Sequence, residues 1–162
     1  MTDEAFTFEP IGTIHTPFEN PEGMPIQPAG ADATGTVELA ETYVDGLADL
    51  DGFSHCILLY HFHESPGDSS LRVEPFLDDA ERGLFATRAP RRPNGIGLSV
   101  VAIESVDGTT IEVRGIDVVD GTPLLDVKPF VPAFDVPEDV ETGWMDASQG
   151  EVSSQRADDR FQ

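Results

Sequence analysis

Two β-rich runs joined at Asp107-Gly108 constrain the fold of this chain more than any other feature. The first run covers residues 95–106 and the second covers 109–116. Asp-Gly between two such runs predicts a β-hairpin, because a tight hairpin turn needs positive φ angles at its two central residues. The sequence therefore predicts antiparallel strand pairing in this half of the chain.

Further strands are predicted on both sides of this hairpin, whereas segments with helical periodicity are scarce. Residues 53–63 form the strongest strand, and their apolar run places it centrally in the sheet. Residues 43–50 are compatible with one short helix. We expect a mainly β protein, an antiparallel β-barrel-like single domain with long loops and few short helices. Weaker strands are predicted at residues 6–14 (broken near Pro10), 36–41, 72–76 and 124–127.

The 162 residues divide into a predicted barrel domain at 5–135 and an acidic, partly disordered C-terminal tail at 136–162, in which Trp144 is the one large anchor. Within the barrel domain, residues 17–35 contain four prolines and are predicted to form a loop, because proline is excluded from a sheet interior. Long ordered loops tend to be functional.

The sequence predicts a cytoplasmic protein that does not associate with a membrane. No run of 18 apolar residues occurs, and the acidic start of the chain lacks the apolar stretch of a signal peptide. The single cysteine, Cys56, lies inside the strongest predicted strand and is expected to be an inert core thiol rather than a nucleophile.

The net charge is −22, and Lys128 is the single lysine among 162 residues. One interpretation is a solvated surface kept soluble by self-repulsion. The other, which we favour, is halophilic adaptation to a very salty cytoplasm, where electrostatic screening shortens to about 3 Å at 1 M salt. In such salt a negative surface argues only weakly against a nucleic-acid partner.

One basic island interrupts this acidic sequence. Four of the nine Lys and Arg residues (Arg82, Arg88, Arg91 and Arg92) lie within eleven positions, and no acid occurs from residue 82 to 103. The Pro-Asn-Gly sequence that follows predicts a turned, open backbone. The island predicts either an anion site or a closure of the fold over its own carboxylates.

Other candidate constellations give weaker predictions. His61 and His63 would share one face of a strand, but a third ligand at a telling spacing is lacking, so no metal is expected. Ser99 lies in a strand-like run and is expected to be structural. Asp126 and Lys128 stand at strand spacing, where a functional role and a surface ion pair worth about 0–1 kcal/mol are equally compatible with the sequence.

Several motifs together resemble the TsaA-like (YaeB/TrmO) family of S-adenosylmethionine-dependent tRNA methyltransferases. The resemblance covers roughly residues 6 to 134, and the motifs occur in the family's order. They are Phe85-Ala86-Thr87-Arg88, then residues 92–99 (RPNGIGLS), then residues 120–130 (DGTPLLDVKPF), with residues 11–18 (IGTIHTPF) and 52–55 (GFSH) fitting as well.

This resemblance implies a β-barrel methyltransferase that works as a homodimer and methylates N6 of the threonylcarbamoyladenosine beside the tRNA anticodon, at tRNA position 37. It implies S-adenosyl-L-methionine as the cofactor, held near the subunit interface. By correspondence with the family's motifs, the implied cofactor-binding residues are Pro25, Gln27, His63, Glu64, Arg88, Leu98, Asp117, Val118 and Asp120.

The chemistry of the cofactor suggests roles for these residues. The guanidinium of Arg88 suits the cofactor's carboxylate, and the carboxylates of Glu64, Asp117 and Asp120 suit its hydroxyl and ammonium protons. The target nitrogen must lose a proton, for which His63 and Asp126 are both candidate catalytic residues and water is a third possibility. The candidates for binding anticodon-loop phosphates are Arg91, Arg92 and Lys128.

The chain also departs from the family's usual pattern. The loop motif Pro-Arg-Gln-Pro is here Pro25-Ile26-Gln27-Pro28, and Asn-Pro-Ile-Gly is here Asn94-Gly95-Ile96-Gly97. The acidic tail replaces the longer C-terminal portion of bacterial members. Two alternatives therefore stay open, a small-molecule methyltransferase on the same scaffold and a non-catalytic S-adenosylmethionine-binding module.

Overall fold

The computed structural model describes residues 4–19, 32–63, 70–75 and 80–145. Eight strands, one short α-helix and four 3-10 helices, the last at residues 143–145, make up the regular structure of these residues. The strands are β1 Gly12–His15, β2 Thr34–Leu39, β3 His55–His61, β4 Arg72–Val73, β5 Arg82–Gly83, β6 Ile96–Asp107, β7 Thr110–Arg114 and β8 Thr122–Pro129. The other 3-10 helices are Glu41–Leu47, Leu50–Gly52 and Leu84–Ala86, and α1 is Pro132–Asp135.

Six of the strands close into an antiparallel barrel in the order β1-β2-β7-β6-β3-β8. Every neighbouring pair is antiparallel, including β8 with β1, which closes the ring. Closure pairs strand edges that an open sheet would leave exposed. The short strands β4 and β5 form a separate two-stranded sheet. The predicted fold class, an antiparallel β-barrel with few short helices, is confirmed.

The barrel interior is filled by alternate residues of each strand. In β3 the inward residues Cys56, Leu58 and Tyr60 are buried, while the residues between them face outward. Because the side chains of a strand alternate between its two faces, a period-two apolar pattern supplies one complete wall of the core. The fully buried side chains from the other strands include Ile14, Val37, Val101, Ile111, Val113 and Leu124.

The predicted hairpin is confirmed, but its turn is placed one residue later than the Asp-Gly pattern indicates. Asp107 pairs with Thr110, so the two loop residues are Gly108 and Thr109. Gly108 has a φ of +60°, whereas Asp107 is not among the residues with positive φ. Glycine at the first central position is typical of a type II′ turn, which needs a positive φ only there.

The single helix predicted at residues 43–50 is wrong. The segment instead forms two 3-10 helices, Glu41–Leu47 and Leu50–Gly52, separated at Asp49, whose φ is +70°. A residue in the left-handed region ends one helix and redirects the chain. Leu47 and Leu50 are buried by this arrangement.

The first ten residues of the predicted acidic tail belong to the described structure. α1 ends at Asp135, and the chain then runs to Trp144, whose indole N–H donates a hydrogen bond to the carbonyl of Ala86 at 2.8 Å. Residues 146–162 lie outside the described residues, so disorder there stays a prediction. Among the described helices, none is long and apolar enough to cross a membrane.

Candidate functional site

Three long connections lie at the same end of the barrel, which we call the loop rim. They join β1 to β2, β3 to β6 (through β4 and β5), and β7 to β8, and antiparallel closure places all three at this end. Most of the predicted cofactor-binding positions lie on these connections: Pro25 and Gln27 on the first, His63, Glu64 and Arg88 on the second, and Asp117, Val118 and Asp120 on the third. Pro25, Gln27 and Glu64 lie outside the described residues.

The third connection, from β7 to β8, lies against β6. The reason is that β6 is longer than β7, its partner in the hairpin. The first β6 residue that pairs with β7 is Ala102, opposite Arg114. Residues 96–101 of β6 therefore extend beyond the end of β7, and the connection that follows Arg114 lies beside them. This arrangement brings Asp117 to the inward-facing side chain of Ser99.

Tyr60, Ser99 and Asp117 form one continuous hydrogen-bonded chain. The hydroxyl oxygens of Tyr60 and Ser99 are 2.7 Å apart, and the Ser99 hydroxyl donates to Oδ1 of Asp117, also at 2.7 Å. Tyr60 and Ser99 are buried and Asp117 is half-buried. The chain thus links the barrel interior to a carboxylate at the loop rim.

Gly97 makes room for the Tyr60 ring. A Cβ atom at this position would lie within 2.7 Å of Cζ of Tyr60 and 2.8 Å of Cζ of Phe62, closer than side-chain atoms approach one another. The rings of Tyr60 and Phe62 pack edge to face with centroids 5.6 Å apart. Gly97 is therefore required because two aromatic rings occupy the space above its Cα.

The carboxyl group of Asp117 has a pKa above the ordinary value for aspartate. Burial raises its pKa to about 6, while the hydrogen bond from Ser99 and the positive charge of Arg88 act in the opposite direction. Burial, together with the negative charge of Asp117, raises the pKa of Tyr60 far above its ordinary value. Tyr60 therefore stays a neutral hydroxyl, and Arg88 and Asp117 act on each other as opposite charges at the loop rim.

Arg88 is presented by a tightly bonded turn. The Thr87 hydroxyl donates to the carbonyl of Leu84 at 2.7 Å, and the guanidinium Nη1 of Arg92 donates to the carbonyls of Thr87 and Ala89 at 3.0 and 2.9 Å. The Arg92 guanidinium also lies 6.0 Å from the centre of the Phe85 ring. Arg92, predicted to bind phosphate, thus braces the backbone on both sides of Arg88, whereas Arg91 is exposed.

Asp120 joins the first and third connections. Its Oδ1 accepts a hydrogen bond from the backbone N–H of Thr16 at 3.0 Å and lies 3.5 Å from Nδ1 of His15. The Thr16 hydroxyl donates to the carbonyl of Val118 at 2.8 Å. These contacts hold the start of the proline-rich connection against Val118, so Asp120 contributes to the shape of the rim through its own contacts within the chain.

The remaining predicted residues lie elsewhere. β3 ends at His61, and the N–H of His63 donates to the carbonyl of His61 at 2.9 Å, so the two histidines are not alternate residues of one strand as the sequence predicts. Leu98 is 41% exposed on the outer face of β6. Asp126 and Lys128 form an ion pair of 2.9 Å on β8, and the structure of one chain does not bring this pair to the loop rim.

The described rim residues fit an S-adenosylmethionine molecule by their chemistry. Arg88 supplies the cation that a carboxylate needs, and Asp117 is a partly desolvated acceptor for an ammonium or hydroxyl group. A carboxylate has about four lone-pair positions, and Ser99 occupies one of those on Asp117. The site thus combines opposite charges with adjoining backbone groups of residues 117–120.

Sequence reasoning missed the roles of Tyr60 and Ser99, whereas Trp144 was expected to anchor the tail and bonds to Ala86. Ser99 was expected to be structural because it lies on a strand, and the structure shows that its hydroxyl reaches Asp117 across the rim. One signal was available, since a hydroxyl residue at an inward position of an apolar strand needs a buried partner. Which partner it finds depends on the closure of the barrel.

Comparisons with known proteins agree with the motifs. The family model of the tRNA-methyltransferase O N-terminal domain matches residues 13–136. A Pyrococcus abyssi protein described as a probable S-adenosyl-L-methionine-binding protein is 47% identical over 155 residues, covering 95% of this chain and 84% of its own length. The human tRNA (adenine(37)-N6)-methyltransferase is 35% identical over 140 residues, covering 82% of this chain and 32% of its own length.

The fold is also that of solved relatives. A crystal structure of TrmO from Pseudomonas aeruginosa superposes with a TM-score of 0.74 at 38% identity over 86% of this chain. The present chain spans 62% of the length of that protein. The barrel, the rim motifs and these similarities together place the chain in the tRNA-methyltransferase O family, as the sequence motifs predicted.

Proposed function

We propose that this protein is an S-adenosyl-L-methionine-dependent methyltransferase that modifies N6 of adenosine at position 37 of tRNA, where threonylcarbamoyladenosine is the substrate nucleoside. The family match over residues 13–136 and the similarity to the human enzyme named for this reaction support the activity. The observation that carries the proposal is the positive charge of Arg88 acting on the partly buried carboxylate of Asp117 at the rim where the family motifs meet.

The rim residues would share the binding of the cofactor, which supplies an electrophilic methyl group. Arg88 binds the carboxylate, and Asp117 accepts a proton from the ammonium or a hydroxyl group. The backbone of Val118 lies beside them, and Asp120 holds the adjoining connection in place. Pro25, Gln27 and Glu64 are added to the proposed set from the family motifs.

The proton of the target nitrogen requires an acceptor near the rim. His63 lies two residues beyond β3 at this end of the barrel, which supports that role for His63 within one chain. Asp126 lies on the outer face of β8, bonded to Lys128. We therefore propose His63 as the base in a single-chain site, whereas Asp126 becomes a candidate only where a second chain covers that face.

A homodimer is the assembly that these positions favour. The outer faces of β3, β6 and β8 carry the exposed side chains of Ile96 and Leu98, at 48% and 41%, next to the half-buried Leu59. Leu98 faces away from the interior of its own barrel. Its predicted contact with the cofactor therefore fits a site completed by a second copy, and an apolar face of this kind is typical of subunit interfaces.

The tRNA anticodon loop is the proposed substrate region. Arg91 is exposed beside the Arg88 turn, and Lys128 is exposed on β8. Phosphate contacts dominate nucleic-acid affinity and need cations. With a net charge of −22, salt reduces the long-range repulsion between the protein and RNA, although it also weakens the direct contacts with phosphate.

We also propose that the enzyme works in a salty cytoplasm. The acidic excess and the single lysine support this, and buried Cys56 is a free thiol. Thermal unfolding in about 0.1 M and about 3 M KCl tests the halophilic adaptation, because screening relieves the repulsion between surface carboxylates. We expect a higher midpoint in the concentrated salt, and equal midpoints would contradict the proposal.

Transfer of labelled methyl groups tests the activity. The protein is incubated in concentrated KCl with labelled S-adenosylmethionine and with tRNA from cells that make or lack threonylcarbamoyladenosine. We expect label in the first tRNA and little in the second. Label confined to small molecules would support the small-molecule methyltransferase instead, and cofactor binding without any transfer would support a non-catalytic binding module.

A further inference from the structure

The chain from Tyr60 through Ser99 to Asp117 has a defined direction. An ionised carboxylate can only accept hydrogen bonds, so the one hydroxyl hydrogen of Ser99 is donated to Asp117. The oxygen of Ser99 is then free to accept, and Tyr60 must donate to it. All hydroxyl dipoles therefore point toward Asp117, and successive hydrogen bonds of this kind strengthen one another.

We propose that Tyr60 and Ser99 are positioning residues that keep Asp117 ionised and oriented at the loop rim for the ammonium or hydroxyl groups of S-adenosylmethionine. This inference rests on the proposed function, because it assigns Asp117 to the cofactor. It extends that function into the barrel interior, to two side chains that do not themselves contact the ligand.

Because Asp117 is partly buried, its ionised form needs stabilisation by neighbouring groups. Desolvation of Asp117 favours its neutral form, which would present a hydroxyl instead of a charge. Among the described residues, the charge acting against this is that of Arg88, and Tyr60 is the other titratable group in the cluster. When Arg88 binds the cofactor's carboxylate, part of its charge is compensated. The hydrogen bonds from Tyr60 to Ser99 and from Ser99 to Asp117 lie inside the protein, so they still stabilise the ionised form of Asp117 when the charge of Arg88 is compensated.

The geometry of the chain is fixed by packing. The Tyr60 ring is held between the backbone of Gly97 and the edge of the Phe62 ring, with 4% of Tyr60 exposed. Ser99 is fully buried. The hydroxyl groups of Tyr60 and Ser99 are held by this packing and cannot rotate toward water. Their dipoles therefore stay directed at Asp117 without a further loss of side-chain entropy.

The experiment measures the ionisation of Asp117 and the binding of the cofactor separately. The full chain is prepared with ¹³C-labelled aspartate, with Asp117 assigned by its loss in Asp117→Asn, and its carboxyl signal is followed against pH. Calorimetry gives the Kd for S-adenosylmethionine at pH 6 and pH 8.5. Both measurements are repeated for Ser99→Ala and Tyr60→Phe, and for Ser105→Ala, which removes an exposed hydroxyl of the same strand.

We expect Asp117 to titrate near pH 6 in the unmodified chain. In Ser99→Ala the midpoint should rise by about one pH unit, since a hydrogen bond to a charged group is lost. The Kd should then rise about fivefold at pH 6 and stay within about twofold at pH 8.5, where Asp117 is ionised in both proteins. Tyr60→Phe should shift the midpoint in the same direction by less, and Ser105→Ala should match the unmodified chain.

An unchanged Asp117 midpoint in Ser99→Ala would overturn the inference. An equal loss of affinity at both pH values would also overturn it, because a merely structural effect does not follow the ionisation of Asp117. If the unmodified chain bound no S-adenosylmethionine at either pH while the Asp117 midpoint still shifted, the proposed function would fail and the coupling to Tyr60 and Ser99 would be supported.

Discussion

The indole N–H of Trp144 donates a hydrogen bond to the carbonyl of Ala86 at 2.8 Å, across 58 positions of sequence. The guanidinium of Arg82 lies 5.7 Å from the centre of the same indole ring. Ala86 is the last residue of the 3-10 helix that leads to Thr87 and Arg88. The C-terminal segment therefore supports the turn that presents Arg88.

Replacement of Trp144 should loosen this turn. We expect Trp144→Ala to lower the free energy of unfolding by about 1–2 kcal/mol, because a hydrogen bond and ring packing are lost together. It should also weaken S-adenosylmethionine binding several-fold. Chemical denaturation and calorimetry check both effects. Phe134→Ala, which removes a ring that is 83% exposed, is the control, and equal behaviour of the two variants would contradict the support role.

Removal of the Arg88 side chain should weaken binding of the cofactor directly. A hydrogen bond to a charged group contributes about 1.5–3 kcal/mol, so we expect the Kd of Arg88→Ala to rise roughly 10- to 100-fold. Arg114→Ala is a matched control, because Arg114 is exposed and bonds Glu104 on the neighbouring strand. Calorimetry that shows equal affinities for Arg88→Ala and the unmodified chain would remove Arg88 from the site.

Arg92 and Arg91 should behave differently although they are adjacent. Arg92 braces the carbonyls of Thr87 and Ala89, so Arg92→Ala should weaken binding of both S-adenosylmethionine and tRNA. Arg92→Lys should not restore it, because one ammonium group lacks the planar guanidinium fork. Arg91→Ala should leave cofactor affinity unchanged and lower the slope of tRNA affinity against salt by about one unit.

Measurements of both ligands separate these roles. If Arg92→Ala lost only tRNA affinity, then Arg92 would be a phosphate contact and its bonds within the turn would be dispensable. If Arg91→Ala left the salt dependence of tRNA binding unchanged, then Arg91 would not contact a phosphate.

Gly97 should tolerate no side chain. An added methyl group would meet the rings of Tyr60 and Phe62, and overpacking of this kind costs about 1–3 kcal/mol. We expect Gly97→Ala to unfold at a lower denaturant concentration than Gly83→Ala, whose Cβ would meet no atom within 4 Å. Similar midpoints for the two variants would show that the rings move aside easily.

We expect the ionised carboxylate of Asp117 to lower the free energy of unfolding, although it contributes to cofactor binding. Its folded pKa, about 6, lies above the ordinary aspartate value of 3.8. The folded state therefore binds more protons between pH 4 and 6, and the contribution of this group to stability falls as the pH rises through that window. Asp117→Asn should raise the thermal midpoint at pH 7.5, flatten its change between pH 4 and 6, and weaken cofactor binding. A lowered midpoint at pH 7.5 would contradict this.

Local sequence was sufficient for most barrel strands and for the family, but it predicted a strand at residues 6–8, where the structure has none, and it missed β5. The β3 run and the β6–β7 hairpin were predicted because alternation of apolar residues and a glycine turn are properties of neighbouring residues. The basic island and the motif around Arg88 are equally local. The turn at Gly108 was misplaced by one residue, because the register of the hairpin is determined by which residues face the core.

The sequence by itself determined the antiparallel β class, the motif order and a concentration of positive charge near Arg88. Only the tertiary structure decided that Ser99 meets Asp117, that Arg92 braces a turn, and that Asp126 lies on the outer face of β8. The physical reason is that strand closure joins residues distant in sequence. Burial at one of those contacts, which no local pattern encodes, then raises the pKa of Asp117.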